Sequence, residues 1–337
     1  MKRALKRLAE QALAPLAPLA WRVRGRPRLL VLMYHRVLPA GHHDRATEQP
    51  GMYVSPATLG MHLALLKQHF SLVHLDEWVS DARAGKALPA QACALTFDDG
   101  WRDNFEYAFP LLREHQVPAT IYLLSDLVGS HYRFWPNALA TLLADRRGAA
   151  TFARWPAALQ SEVSAVTGSR AAPLPLGVGE IDAVITRCKH AYSDPELRAM
   201  LEEANTVAGA QQDRAARDLM NWDEIRQMAA GGLIRFGSHT RTHMRLGTRI
   251  PDDVLRDEIC TSRRMIEDAL GTAVSSFCYP NGDFCPAALE LVRSAYTTGV
   301  TTNHGWNGAQ LDPHLIRRVG VHEDIACRPE SFLTRLL

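Results

Sequence analysis

The chain has 337 residues, a length that suits one large α/β barrel or two modest domains with a sizeable core. Hydrophobic residues make up 47% and charged residues 22%, the balance of an ordinary globular protein rather than of a disordered or membrane-spanning one. The formal net charge of +2 is no strongly basic footprint, so we expect no nucleic-acid partner.

The first 27 residues form a basic amphipathic segment. Met1 to Arg7 is basic, and Gln11 to Trp21 is apolar but interrupted by two prolines, too short for a membrane span of about 20 apolar residues. Such a helix is expected either to rest on a membrane surface or to pack on the domain. We therefore expect a protein that is cytoplasmic or peripheral on the cytoplasmic membrane face, with export left open. Four leucines could line one face: Leu5, Leu8, Leu13 and Leu16.

From residue 28 to residue 337, strand-like and helix-like segments alternate. Ser55-Pro56 is a good helix start, and the strands read as short apolar runs. About eight strands separated by helices predict an α/β fold of the distorted (β/α) barrel type. The predicted strands are Leu29 to Tyr34, Ser71 to Leu75, Ala92 to Phe97, Ala119 to Leu124, Leu233 to Phe236, Ser275 to Tyr279, Thr297 to Thr302 and Leu315 to Val321.

The alternation lapses between about residues 130 and 220, where helical stretches and Gly/Pro-rich breaks replace strands. This predicts an inserted helical region, either a lid or substrate wall or a peripheral elaboration. Tyr132, Phe134 and Trp135 stand at its start. They could stack on sugar rings or belong to a core.

Polar residues follow four of the predicted strands. Asp98 and Asp99 end one strand, His239 ends another, His35 ends the first, and Tyr279-Pro280-Asn281 ends a fourth. The carboxyl ends of parallel barrel strands lie on one face, and that face carries the active site. We therefore expect these four clusters to meet around one cleft.

Two of these clusters contain residue types, aspartate and histidine, that commonly bind metal ions in proteins. Adjacent carboxylates at a strand end point different ways, so one of Asp98 and Asp99 can bind a cation while the other faces substrate. His239 and His243 are four residues apart and come onto one side of a single helical turn. Two imidazoles and one carboxylate make a facial set of three ligands. If each cluster is considered without the other, the aspartates could instead be a helix N-cap and the histidines could be ordinary surface residues.

The same segments resemble the motifs of a known family. Thr96–Gly100, His239–His243 and Phe277–Gly282 are similar to the first three motifs of the polysaccharide deacetylases, also called the NodB homology domain or carbohydrate esterase family 4. The resemblance covers roughly Leu29 to Val321, apart from the insertion. The early Tyr34-His35 is similar to the group that includes poly-N-acetylglucosamine and exopolysaccharide deacetylases.

The resemblance implies a NodB-type barrel whose catalytic domain spans residues 28–337 and whose cofactor is a divalent metal, usually zinc. Asp99, His239 and His243 would hold the metal, and Asp98 would be the general base. The segment Tyr279-Pro280-Asn281 would bind substrate and the oxyanion, with the backbone N–H of Asn281 as donor.

The sequence departs from the commonest family pattern at two points. The usual late Leu-x-His motif is absent, so the resemblance implies His35 as general acid, with His314 as the second candidate. Cys278 stands where the third motif usually has the arginine that orients the base, and Arg318 could supply the guanidinium instead. The alternative for His35 is a buried structural histidine, and the alternative for Arg318 is an ordinary surface or core-rim arginine.

These features predict a metal-dependent hydrolase that removes N-acetyl groups from N-acetylhexosamine units of an exopolysaccharide or a lipid-linked glycan. Its partner would be the N-acetylated glycan, with membrane contact through the N-terminal segment. Two alternatives remain open. One is an O-acetyl esterase acting on xylan-type polymers, and the other is an inactive carbohydrate-binding barrel.

Overall fold

The computed structural model describes residues 2–23, 27–169, 175–209, 217–248 and 250–337. These residues divide into two compact units. The first unit comprises residues 1–39, 53–130 and 218–337, and the second comprises residues 40–52 and 131–217.

The first unit is built on a closed ring of seven parallel strands. Each strand pairs with the next one along the chain, and the last strand pairs with the first. The predicted (β/α) barrel is therefore confirmed. In chain order the strands are β1 (Arg28–Tyr34), β2 (Gln91–Phe97), β3 (Ala119–Leu123), β4 (Ile234–Ser238), β5 (Ser276–Cys278), β6 (Thr298–His304) and β7 (Ile316–Gly320).

The eighth predicted strand lies outside this ring. It is reduced to Ser71–Leu72 and pairs with Ala92 and Cys93 of β2, on the edge opposite β1 and ahead of the residues of β2 that pair with β3. A further short strand, Asn307–Gly308, pairs antiparallel with β1. The barrel departs from a regular eight-stranded one because only seven strands close the ring, and these two short pieces pair with it from outside.

Strands β1 to β5 are buried on both faces, as their apolar runs indicated, whereas the last three residues of β6 and Arg317 of β7 are exposed. In β1, Leu29 and Val31 belong to a core cluster with residues of other strands such as Val300, whereas Leu30 and Leu32 belong to the large cluster shared with the helices. Successive side chains point to opposite faces of a strand, so these two clusters are the barrel interior and the layer between strands and helices.

Helices surround the strands of the first unit. The Pro56–His69 helix begins as predicted, with the Ser55 hydroxyl accepting the backbone N–H of Thr58 at 3.1 Å. Two helices contain π-helical turns, at Asn104–Ala108 and at Asp257–Thr261. The helices are Pro56–His69, Leu75–Arg83, Phe109–His115, Trp222–Ala229, Asp252–Arg256, Ser262–Leu270, Pro286–Ala295, Glu323–Ala326 and Pro329–Arg335.

The second unit is helical and has a core of its own. Trp135 is part of that core, and Phe134 is buried with its ring edge against Tyr132. Trp135 is therefore a core residue, which is one of the two predictions for these aromatic residues. The Tyr132 hydroxyl accepts a hydrogen bond from Arg198 at 2.9 Å. The helices are Trp135–Ala144, Arg146–Thr151, Ala157–Thr167, Val178–Ala191 and Asp194–Ala208.

The N-terminal segment is helical over Lys2–Leu13 and Ala17–Val23, joined by a 3-10 turn at Ala14–Leu16. Trp21 is buried, and Glu10 forms an ion pair with Arg328 of the C-terminal helix. The side chain of Leu5 lies outside the described part of the chain. Within that part, no helix is both long and apolar enough to cross a membrane. Four leucines are largely exposed: Leu8, Leu13, Leu16 and Leu19.

Candidate metal and catalytic site

The two adjacent aspartates follow β2 and face different partners. The backbone N–H of Asp98 continues the barrel ladder by donating to the carbonyl of Tyr34 at 3.0 Å. Asp99 then takes a positive φ of 74°, which turns the chain out of the strand. Gly100 follows at φ 70°, and a Cβ there would come within 2.9 Å of the Leu123 side chain. The turn separates the two carboxylates.

Asp99, His239 and His243 come together as a group. The Oδ1 atom of Asp99 lies 3.4 Å from Nε2 of His239 and 3.4 Å from Nε2 of His243. The three ligand atoms all lie within 4.8 Å of one another. Atoms at roughly 2.1 Å from a tetrahedral zinc ion are about 3.4 Å apart. The separations therefore fit one divalent ion.

The hydrogen bonds of this group also fit metal binding. The Nδ1 atom of His239 lies 2.8 Å from the carbonyl oxygen of Cys278, to which it can only donate, so Nε2 is the ring nitrogen that faces Asp99. Burial alone would raise the pKa of Asp99, but the neighbouring histidines hold that pKa well below its usual range. The set thus offers one ionised carboxylate and an oriented imidazole.

The two histidines do not share a helical turn, contrary to the expectation from their spacing. They lie on a loop in which Thr240 and His243 have φ values of 69° and 65°. The carboxylate of Glu258 holds this loop by accepting the backbone N–H groups of Arg241 at 2.8 Å and Thr242 at 3.1 Å. A side chain thus satisfies the N–H groups that a helix would have used.

Asp98 forms a two-point ion pair with Arg318 of β7. Nη1 lies 2.7 Å from Oδ1 and Nη2 lies 2.8 Å from Oδ2. The buried guanidinium also donates to the carbonyl of Thr301 at 2.8 Å and contacts the sulfur of Cys278 at 3.3 Å. Although burial would raise the pKa of Asp98, the Arg318 charge lowers it below its usual range. Asp98 is therefore ionised and fixed.

Of the two histidines considered as acid, only His35 lies beside Asp98. Its Nε2 is 3.8 Å from Oδ2 of Asp98, and its side chain is 20% exposed. The Nε2 atom of His314 instead bonds the carbonyl of Tyr296 at 2.9 Å. Because His314 precedes β7, it lies at the amino ends of the strands, opposite the aspartates.

The third motif contributes main chain rather than aromatic surface. The Tyr279 ring is buried in the layer between strands and helices, 4.9 Å from the Phe284 ring. Pro280 is buried, and Asn281 has a φ of 59° with its amide donating to Asp283. The backbone strain at Asn281 matches that at Asp99 and in the histidine loop, where strained residues mark functional sites.

Sequence reasoning missed two residues that support the metal group. The indole N–H of Trp101 donates to Oδ2 of Asp99 at 2.9 Å, and Glu258 holds the histidine loop. A signal existed for Trp101, which directly follows Asp-Asp-Gly and carries an N–H that needs a partner when buried. No such signal existed for Glu258, which is one of several charged residues in a long helical stretch of the sequence.

Two other groups in the described residues have metal-ligand spacing. Asp98, His239 and Cys278 form one, but both oxygens of Asp98 are already held by Arg318. The other is His42-His43-Asp44 in the second unit, where the His43 side chain is largely exposed. The Asp99 group therefore remains the candidate metal centre.

Comparison with known proteins gives three kinds of match. The polysaccharide deacetylase family model matches residues 85–165 and 188–300, more than half of the chain. The poly-β-1,6-N-acetyl-D-glucosamine N-deacetylase of Escherichia coli (strain K12) is 35% identical over 77 residues, which are 23% of this chain and 12% of that protein. A putative polysaccharide deacetylase of Bacillus subtilis, YxkH, is 40% identical over 42 residues, 12% of this chain and 15% of that protein. The chain thus spans only a small part of these relatives' length.

Solved structures match over nearly the whole chain. The Streptococcus pyogenes deacetylase PplD, in complex with acetate, superposes with a TM-score of 0.60 at 16% identity, covering 93% of this chain and all of that one. IcaB from Ammonifex degensii gives a TM-score of 0.55 at 17% identity, covering 91% and 97%. At such identities the likeness shows the fold alone. With the family match over most of the barrel, it places this chain in the polysaccharide deacetylase family.

Proposed function

We propose that this chain is a metal-dependent hydrolase that removes N-acetyl groups from N-acetylhexosamine units of an exopolysaccharide or a lipid-linked glycan. One observation carries the proposal. A buried carboxylate–histidine group with metal-ligand spacing, Asp99 with His239 and His243, stands beside an ionised carboxylate, Asp98, that is held by Arg318.

The metal group would take a divalent ion, for which zinc suits two imidazoles and one carboxylate. Such an ion supplies Lewis-acid chemistry, polarising the amide carbonyl and making water a better nucleophile. Asp98 accepts the proton of the attacking water, and Arg318 keeps the carboxylate ionised and aimed. The backbone N–H of Asn281 is the proposed donor to the oxyanion.

Cleavage of an amide needs an acid, because an amine leaves poorly unless it is protonated. His35 is our candidate, since its Nε2 lies 3.8 Å from Asp98 and its side chain is partly open to solvent. Asp98 and His35 would then act as a base–acid pair.

The substrate class rests on the family and on one relative. The deacetylase of Escherichia coli acts, by its name, on a polymer of N-acetylglucosamine, although the match to it covers only 77 residues. An O-acetyl esterase would use the same residues, although its alcohol leaving group depends less on protonation than an amine does. The inactive-barrel alternative rests on the missing arginine of the third motif and on the absent Leu-x-His motif, and the pairing of Arg318 with Asp98 argues against the first of these grounds.

Acetate release from N-acetylglucosamine oligomers tests the proposal. The wild type is assayed with a chelator, with zinc restored, and on O-acetylated xylan, beside Asp98→Asn and the distant control His314→Gln. We expect amide hydrolysis that requires zinc and Asp98 and survives His314→Gln. Release of acetate at an unchanged rate by metal-free enzyme would refute the proposal. Turnover of xylan alone would establish the esterase instead.

A further inference from the structure

A line of buried side chains leads from the residue after His35 to the metal ligand Asp99. The Nε atom of Arg36 donates to Oδ2 of Asp103 at 2.9 Å. The guanidinium carbon of Arg36 lies 4.1 Å from the centroid of the Trp101 ring, and the indole N–H of Trp101 donates to Oδ2 of Asp99 at 2.9 Å. All four residues are at least 95% buried.

We propose that Trp101 is a positioning residue for the metal centre. Its indole N–H holds the Asp99 carboxylate so that Oδ1 alone faces the cation, and the charge of Arg36 strengthens that N–H as a donor. This inference rests on the proposed function, because it assigns Trp101 a role toward the metal that Asp99, His239 and His243 would bind.

The two oxygens of Asp99 have separate partners. Oδ1 is 3.4 Å from both histidine Nε2 atoms, whereas Oδ2 accepts the indole N–H. Without that N–H, Oδ2 would be a buried charged acceptor lacking this bond, and the carboxylate could rotate. A hydrogen bond to the outer oxygen of a ligating carboxylate typically matters 10–100-fold in metal affinity.

The position of Arg36 adds to the effect. A cation over the face of an indole ring withdraws electron density from it, so the ring N–H becomes more acidic and a stronger donor. A buried guanidinium is costly unless it is paired, and Asp103 pairs it. Asp103 also accepts the backbone N–H of Val37 at 2.8 Å, which fixes the chain just after His35.

A tryptophan that only filled space would behave differently from one that donates a hydrogen bond. Trp101→Phe keeps an aromatic ring beneath Arg36 and removes the N–H. Trp78→Phe is the matched control. Trp78 is equally buried, and among the described residues its indole N–H has no hydrogen-bond partner. Both variants lose the same atoms, but only one loses a hydrogen bond.

Metal affinity distinguishes the two roles. Zinc dissociation constants are measured on metal-free full-length protein by competition with a chromophoric chelator, together with the absorption spectrum of bound Co²⁺. We expect Trp101→Phe to raise the dissociation constant about 10-fold or more and to change the Co²⁺ spectrum. Trp78→Phe should change neither. Equal constants and spectra for wild type and both variants would overturn the role of Trp101.

The test remains decisive if the variant does not fold or if the wild type binds no metal. If Trp101→Phe does not fold, 3-benzothienylalanine at position 101 keeps the indole volume without the N–H, and an unchanged dissociation constant there overturns the proposal. If the wild type itself binds no divalent ion, the metal centre of the proposed function fails, and the role of Trp101 fails with it. Tight binding by the wild type and by every variant removes only the role of Trp101.

Discussion

Arg318 and Asp98 face each other inside the barrel with two parallel hydrogen bonds, of 2.7 and 2.8 Å. Arg318 lies on β7 and Asp98 follows β2, so the pair joins strands that are 220 residues apart in sequence. The guanidinium fixes the direction of the carboxylate and lowers its pKa below the usual range. The fixed direction aims the carboxylate, and the lowered pKa keeps it unprotonated at neutral pH and so able to accept a proton.

Replacing this guanidinium should move the pH dependence of activity. In Arg318→Met, burial remains without the compensating charge, so the pKa of Asp98 rises and more of it is protonated at a given pH. We expect the acid limb of the kcat/KM profile to move to higher pH. Arg318→Lys, which keeps the charge but not the fork, should move it less. Profiles that coincide for all three proteins would contradict this role.

His35→Gln should discriminate between leaving groups. A general acid contributes about 10²–10⁴-fold when the departing group is a poor one such as an amine. We therefore expect kcat on N-acetylglucosamine oligomers to fall by roughly that factor. Hydrolysis of p-nitrophenyl acetate should fall far less, because p-nitrophenolate leaves without protonation. His314→Gln is the control, and equal losses on both substrates would remove His35 as the acid.

The sequence sufficed for the barrel because short apolar runs, clearest in β1, β2 and β3, alternate with helical segments along the chain. It also located Asp98, Asp99, His239 and His243, since polar side chains directly after buried strands meet at one end of a parallel barrel. It did not give the pairing of Arg318 with Asp98, which the resemblance only suggested.

What the sequence could not provide depends on tertiary contacts. The spacing of His239 and His243 indicates a helical turn, but the carboxylate of Glu258, from another element, takes up the N–H groups of the loop between them. The π-helical turn that carries Glu258 has no local sequence signal. Likewise, nothing near Ser71–Leu72 showed that this strand would be excluded from the ring.

Glu258→Ala should weaken metal binding. Its carboxylate accepts two backbone N–H groups and the hydroxyl of Thr242 at 2.7 Å, and this holds the strained loop that ends at His243. We expect the zinc dissociation constant to rise on the order of 10-fold, as for other outer-shell supports. Glu267→Ala is the control, because Glu267 also accepts a backbone N–H, that of Val274. Chelator competition measures both, and equal affinities would contradict the role of Glu258.

His62 should make the fold acid-sensitive. Its ring is fully buried between the Tyr34 hydroxyl and the carbonyl of Ala326, and burial lowers its pKa to about 4, against 6.5 when exposed. Between pH 4 and pH 6.5, His62 therefore binds a proton in the unfolded chain but not in the folded one. The free energy of unfolding thus falls as the pH drops from about 6.5 to about 4. The loss is about 3 kcal/mol.

Urea unfolding at pH 7 and pH 4 measures this loss. His62→Gln keeps an N–H donor and an oxygen acceptor but does not titrate, so its unfolding free energy should fall less between the two pH values. A difference near zero between the pH dependence of the two proteins would show that His62 does not titrate on unfolding.

The exposed leucines of the N-terminal helices should bind the protein to anionic membranes. Leu8, Leu13, Leu16 and Leu19 are 62%, 45%, 55% and 60% exposed. Residues 1–28 carry eight Lys or Arg and one acidic residue, although the whole chain has a net charge of only +2. Burying each leucine in a bilayer interface would contribute about 1 kcal/mol, and the basic residues add attraction to anionic lipid.

Flotation with vesicles measures this binding. We expect the protein to float with phosphatidylglycerol-containing vesicles but not with phosphatidylcholine alone. Replacing the four leucines with serine should abolish flotation, whereas Val178→Ser, at an exposed apolar residue of the second unit, should not. If the leucines instead joined two copies of the chain, the wild type would be a dimer and would not float with vesicles. The quadruple variant would then be a monomer. Because a lipid-linked glycan is presented at a membrane surface, flotation would favour that substrate over a released polymer.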